Sequence, residues 1–177
     1  QFMSACPQGL KHGEYHHQNV YSSGYFKMSG TRLGEFEEYV YRFDFYAPQT
    51  FVNEYDERIL IGWMGMGDKL GWQHCLTTPR KLSLTEGGYL RQWPVINSEL
   101  YGRFMEISDN AVMETQVPCD IVSLTIGGEY EVRIGDAAVR YSDGVIILDL
   151  VRRDVGCGRD AREAQIGELR DLRIIVD

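Results

Sequence analysis

Few residues in this 177-residue chain are spaced for chemistry, and each carries a rival structural reading. Asp44 stands between Phe43 and Phe45. On a strand its carboxylate would face away from both rings, which suits either a site role or a structural hydrogen bond. His12, His16 and His17 invite a metal ion, but neighbours on a strand point to opposite faces, so His16 and His17 are expected as surface loop histidines. Cys6, Cys75, Cys119 and Cys157 are scattered, with no C-x-x-C or paired metal spacing, and are expected as reduced structural thiols in a cytoplasmic protein. Gly34, Gly62, Gly65 and Gly67 do not form the Gly-x-x-x-x-Gly-Lys-Ser/Thr loop that cradles phosphate. No cofactor and no metal are expected.

The elements that must position these residues read as strands. Period-two and short apolar runs cover 2–5, 21–28, 36–45, 59–64 and 82–84, then 121–126, 130–134, 145–150 and 172–176. Gly127-Gly128, Gly135-Asp136 and Ser142-Asp143-Gly144 supply turns because they tolerate positive φ. The expected class is all-β, a run of antiparallel hairpins. Only 161–169 looks helix-like, with a polar loop as the alternative. Texture changes near 94–104: all three tryptophans (Trp63, Trp72, Trp93) precede it, plainer aliphatic strands follow, and 94–103 reads as a connector.

Composition narrows the function classes. Apolar residues at 44% and charged residues at 25% describe an ordered globular chain. A net charge of −8 disfavours nucleic acid and anionic membrane as partners. The longest apolar runs fall far short of the ~20 residues of a membrane helix, and no secretory signal is visible at Gln1-Phe2-Met3. The charged stretch from Arg152 to Arg173 reads as a solvated face.

Three blocks in order carry a family resemblance. They are Cys6-Pro-Gln-Gly-Leu10 with Asn19-Val-Tyr-Ser-Ser-Gly-Tyr25; Phe43-Asp-Phe-Tyr-Ala-Pro-Gln-Thr-Phe51 leading into Arg58-Ile-Leu-Ile-Gly-Trp-Met-Gly65; and Gly71-Trp-Gln-His-Cys-Leu-Thr-Thr-Pro-Arg-Lys-Leu82 with Gln92-Trp-Pro94. Over 6–94 the chain resembles glycoside hydrolase family 32, the sucrose-6-phosphate hydrolases and β-fructofuranosidases. The resemblance implies a five-bladed β-propeller joined to a β-sandwich, with 1–99 as the last blades and 100–177 as an incomplete sandwich. A four-stranded blade takes about 40–50 residues, so 1–99 holds about two.

The family cleaves the fructosyl bond with retention, which needs two carboxylic groups about 5 Å apart. It takes them, with a third acid, from Asn-Asp-Pro-Asn, Arg-Asp-Pro and Glu-Cys-Pro blocks. None occurs here, and Cys6-Pro7 is preceded by Ala5. The expectation is therefore a partial chain, cut at both ends, whose catalytic carboxylates lie upstream and which is inactive alone. Its expected partners are a sucrose-type saccharide and either the missing N-terminal part or another copy, joined through open β edges.

By resemblance, Asp44, Tyr46 and Trp63 are the substrate-binding candidates. Trp63 could lay a flat ring against the apolar face of a sugar or fill a blade core. Asp44 and Tyr46 fall where the family contacts substrate or orients its acid/base, with structural hydrogen bonding as the alternative. Trp72 and His74 are expected to pack within a blade. Where the family carries Leu-Asp-x-Gly, this chain has Tyr39-Val-Tyr-Arg42. The alternative overall is a non-catalytic carbohydrate-binding or structural β remnant.

Overall fold

The computed structural model describes residues 1–19, 21–41, 43, 45–65, 73–96, 103–107, 119–123, 128–135, 137–150, 161–169 and 172–176. These residues form strands and connecting segments without a helix, so none is long and apolar enough to cross a membrane. In chain order the strands are β1 (Phe2–Ala5), β2 (Gly24–Ser29), β3 (Arg32–Glu38), β4 (Tyr46–Val52), β5 (Arg58–Met64), β6 (Cys75–Leu76), β7 (Arg80–Leu84) and β8 (Leu90–Pro94). There follow β9 (Arg103–Ile107), β10 (Cys119–Ser123), β11 (Tyr130–Ile134), β12 (Ala137–Ser142), β13 (Val145–Asp149), β14 (Arg162–Gln165) and β15 (Leu172–Val176).

Four sheets result. Their orders are β1-β2-β3; β4-β5-β7-β8 with β6 beside β5; β15-β10-β9; and β11-β12-β13-β14. The all-β expectation holds, but several strand boundaries move. The run 36–45 is no single strand, because the ladder between β2 and β3 ends at Gly24↔Glu38 and the chain then leaves the sheet. Phe43 and Phe45 are buried by packing, without a ladder beneath them. The helix-like stretch 161–169 contains β14 instead, since pairing with β13 and burial of Ala164 outweigh local propensity. Not every pairing is a hairpin, because β9 and β10 run parallel. The tight link from β12 to β13 is as expected: Asp143 and Gly144 both take positive φ, 49° and 81°, as a type I′ turn requires.

The core lies between the first two sheets. Tyr25, Tyr39, Phe45 and Leu60 cluster there, with Phe2, Val40, Leu82 and Leu90 packed around them. Hydrogen bonds tie the same faces together. The Tyr25 hydroxyl accepts from the Leu90 amide at 3.2 Å. Lys27 donates to the Gly87 carbonyl at 3.0 Å and lies 3.8 Å from the centre of the Tyr89 ring. One contact is tighter than the rest: a Cβ on Gly62 would fall 2.4 Å from Cε2 of Phe45, so the Phe45 ring rests directly on the β5 backbone.

The charged stretch near the C-terminal end is not wholly a solvated face. The Arg162 guanidinium stacks 4.5 Å from the centre of buried Phe43, and its Nε donates to Asn19 Oδ1 at 3.0 Å.

Two tests follow from this packing. Gly62→Ala forces the Phe45 ring aside and is expected to cost about 1–3 kcal/mol, read as a lower urea midpoint with an unchanged slope. The second concerns pH. Burial raises the phenols of Tyr25 and Tyr39 above their ordinary value of 10.0. Below that value folded and unfolded chains both keep these protons; above it the unfolded chain releases them first. Stability is therefore expected to be whole below pH 10 and to fall as pH rises past it, and Tyr39→Phe should reduce that alkaline slope in near-ultraviolet circular dichroism.

Candidate functional site

The most developed constellation lies where β4 and β5 begin and end. β4 pairs with β5 so that Tyr46 stands directly opposite Trp63. Their rings meet edge to face with centroids 6.4 Å apart. Two of the three residues singled out by the motifs are thus cross-strand partners. The third, Asp44, lies outside the described residues, as does Trp72.

Two further rings join the pair. Tyr21, just before β2, lies 5.2 Å from Tyr46. His74, just before β6, lies 4.8 Å from Trp63. The result is a row, Tyr21–Tyr46–Trp63–His74, whose two ends are exposed and whose middle is half-buried. Sequence alone missed Tyr21 and His74 as members of the row. Their presence in the motif blocks was the available signal, and the register that brings them together is not local in sequence.

Local backbone features aim these rings. The ladder between β4 and β5 shifts register between Tyr46 and Gln49, a β-bulge, and Ala47 within it has a φ of 46°. Bulges of this kind bend a strand and re-aim its side chains. Pro48 follows on the edge strand of the sheet, where its missing N–H costs no ladder bond. β6 returns the chain so that Leu76 pairs with Trp63 and Cys75 with Met64, which sets His74 beside the indole. His74 itself has a φ of 60°. Cys75 Sγ donates to Met64 Sδ at 3.7 Å beneath this end. A row of half-exposed rings can pack against the C–H face of a sugar while hydroxyls remain hydrated at the edges.

A second cluster surrounds Glu38, whose side chain is 5% exposed. Its Oε2 accepts from the His17 amide at 2.9 Å and lies 3.7 Å from His16 Nδ1. Tyr15, Gln18, Asn19, Tyr41 and Arg162 help line the crevice beside it. Burial, followed by the charges of Glu38 and Glu37, raises the Tyr41 phenol. Among the described residues that line it, Glu38 is the one carboxylic residue, and they supply no acid pair of the kind that retaining glycoside cleavage requires. No group of three or more His, Cys, Asp or Glu among the described residues is placed to hold a metal ion.

Comparison with known proteins decides the family. The family model for the glycosyl hydrolases family 32 N-terminal domain matches residues 1–94. The chain belongs to glycosyl hydrolases family 32. A sucrose-6-phosphate hydrolase of Staphylococcus xylosus is 44% identical over 102 residues, covering 51% of this chain and 20% of that protein. One from Bacillus subtilis (strain 168) is 29% identical over 200 residues, covering 97% of this chain and 41% of that protein. Among solved structures, a Bombyx mori GH32 beta-fructofuranosidase mutant in complex with sucrose aligns over 99% of this chain and 42% of its own, with TM-score 0.67 at 21% identity. That last likeness speaks for fold. The chain thus spans less than half the length of these family 32 relatives.

The bulge yields its own test. A left-handed alanine is strained relative to glycine, so Ala47→Gly is expected to stabilise the chain by about 0.5–1 kcal/mol in chemical denaturation while leaving the Tyr46 register intact. A destabilising outcome would mean the bulge is not held in that conformation.

Proposed function

We propose that these 177 residues form part of a retaining glycosidase that hydrolyses the fructosyl bond of sucrose or sucrose-6-phosphate, with its catalytic carboxylates supplied by sequence upstream. The observation that carries this is the Tyr46–Trp63 cross-strand pair at the centre of an aromatic row, in a chain of family 32. Asp44, Tyr46 and Trp63 are the substrate contacts in this reading, Asp44 on the strength of the family motif alone. Residues 1–99 form the last blades of a β-propeller and 100–177 part of a β-sandwich. The two separate antiparallel sheets before residue 95, one of three strands and one of five, and the change of texture near 94–104 support that division.

In retaining cleavage one carboxylate attacks the fructosyl anomeric carbon while a carboxylic acid protonates the departing oxygen; water then displaces the enzyme and frees fructose. The chain lacks the Asn-Asp-Pro-Asn, Arg-Asp-Pro and Glu-Cys-Pro blocks that carry those acids in the family. Its own part is to wall one side of the sugar site, where the row keeps water from the sugar's apolar face and orients the ring. Cys6 and Cys75 are free thiols, which fits a reducing, cytoplasmic setting.

The test is a sugar-release assay on sucrose and on sucrose-6-phosphate. The chain alone is expected to give no turnover. Combined with blades bearing the three acid blocks, it is expected to hydrolyse the fructosyl bond, and Trp63→Ala is expected to raise KM about tenfold with a smaller effect on kcat. Turnover by the chain alone would overturn the assignment of the acids to other sequence. Binding of sucrose without turnover in the combined protein would favour a non-catalytic carbohydrate-binding role.

A further inference from the structure

The Trp63 indole is constrained from two directions, by Gly65 on its own strand end and by His74 across from it. From its own strand end, Gly65 leaves room for the ring: a Cβ there would lie 3.0 and 3.1 Å from Cζ3 and Cη2 of the indole. Any side chain at 65 would therefore push the six-membered edge of the ring outward by a few tenths of an ångström or turn it. From the segment just before β6, the His74 ring packs 4.8 Å from the indole at an interplanar angle of 47°. His74 reaches that position with a φ of 60°, a conformation that non-glycine residues adopt rarely and that clusters where geometry serves function. Tyr46 closes the third side from across the ladder. A half-buried tryptophan at a strand end would otherwise sample several rotamers, and a sugar would have to select one of them.

We infer that Gly65 and His74 are positioning residues that preset the Trp63 ring for a saccharide, Gly65 by leaving the volume the ring occupies and His74 by stacking against it. This rests on the proposed role of Trp63 as a sugar contact and deepens it, because it states what fixes that contact before the sugar arrives. At 65 the matter is space, since a Cβ would meet the indole itself and the backbone angle is one any residue adopts. At 74 the requirement is for a flat ring, so phenylalanine should serve where alanine does not.

The test uses the full chain labelled with 5-fluorotryptophan and followed by fluorine NMR, with the Trp63 resonance identified by its loss in Trp63→Phe. In the parent chain that resonance is expected to be narrow and to shift on titration with sucrose. Gly65→Ala should move it in the free chain and weaken the sucrose response about tenfold, with little change in melting temperature. His74→Ala should broaden it and weaken the response similarly, and His74→Phe should restore both. If Gly65→Ala and His74→Ala leave the free resonance and the sucrose affinity unchanged while Trp63→Ala abolishes the response, the positioning role is overturned and the platform stands. A sucrose response untouched by Trp63→Ala overturns the platform, and the preset ring with it.

Discussion

The close approach of the Phe45 ring to Gly62 governs the arrangement of the first two sheets. No side chain fits between them, because a Cβ would stand 2.4 Å from the ring. Phe45 is thereby driven to 2% exposure and meets Leu60 at 0%, Tyr25 and Tyr39. The backbone at this point is held independently. The Gly62 amide donates to Thr77 Oγ1 at 3.0 Å, the Thr77 amide donates to the Gly62 carbonyl at 2.9 Å, and the Phe45 carbonyl accepts from Ser23 Oγ at 2.7 Å. Phe45 and Gly62 are thus locked from both sides, and their neighbours in sequence inherit that fixity. Successive residues on a strand face opposite sides, so Trp63 leaves the core where Gly62 meets it, and Tyr46 leaves with it as the cross-strand partner of Trp63. The aromatic row is the reverse side of the core.

That coupling explains why strain collects here. A regular β4 would run straight on from Tyr46, but the bulge at Ala47 turns the strand and the chain re-enters the ladder at Gln49↔Ile61. Left-handed backbone at a non-glycine residue costs about 1 kcal/mol, and it persists where surrounding contacts over-determine it. Ala47 and His74 both adopt it, one on each flank of the Tyr46–Trp63 pair. A core residue as buried as Phe45 can offset two such costs, since full burial of a large apolar side chain contributes about 1.5–3 kcal/mol.

Class and motif were legible in the sequence; register and sheet membership were not. The all-β pattern, the strands at 2–5, 130–134 and 172–176, and the turn at Asp143-Gly144 depend on neighbours in the chain, and each appears as read. β4 went unseen because Pro48, Gln49 and Thr50 interrupt its apolar pattern, whereas its stability comes from pairing with β5. Phe43 and Phe45 alternate like strand residues, yet their burial comes from packing between sheets. Residues 161–169 carry a charged, alanine-containing composition that suits a helix, and only the unpaired edge of β13 makes part of them a strand. The site followed the same division. Tyr46 and Trp63 were named from motifs, while Tyr21 and His74 belong with them through a pairing that spans 17 residues between Tyr46 and Trp63.

The outer edge of β14 shows how one side chain can stand in for a strand. In the ladder with β13, Glu163 faces Ile147, and β14 is the last strand of its sheet. An exposed edge offers paired N–H and C=O groups to any passing chain. Here Gln18 takes both: its Nε2 donates to the Glu163 carbonyl at 2.7 Å and its Oε1 accepts from the Glu163 amide at 2.8 Å. A primary amide presents an N–H donor and a C=O acceptor side by side, the same pair of groups that a neighbouring strand's backbone would offer. Arg162 then reaches back to Asn19 and Phe43, so the loop that carries Gln18 is fastened to β14 on successive residues. The same loop caps the buried Glu38 carboxylate through the His17 amide. A segment without regular secondary structure is in this way held by strand-like bonds at one end and by a buried charge at the other, and it couples β3 to a sheet more than a hundred residues further along the chain.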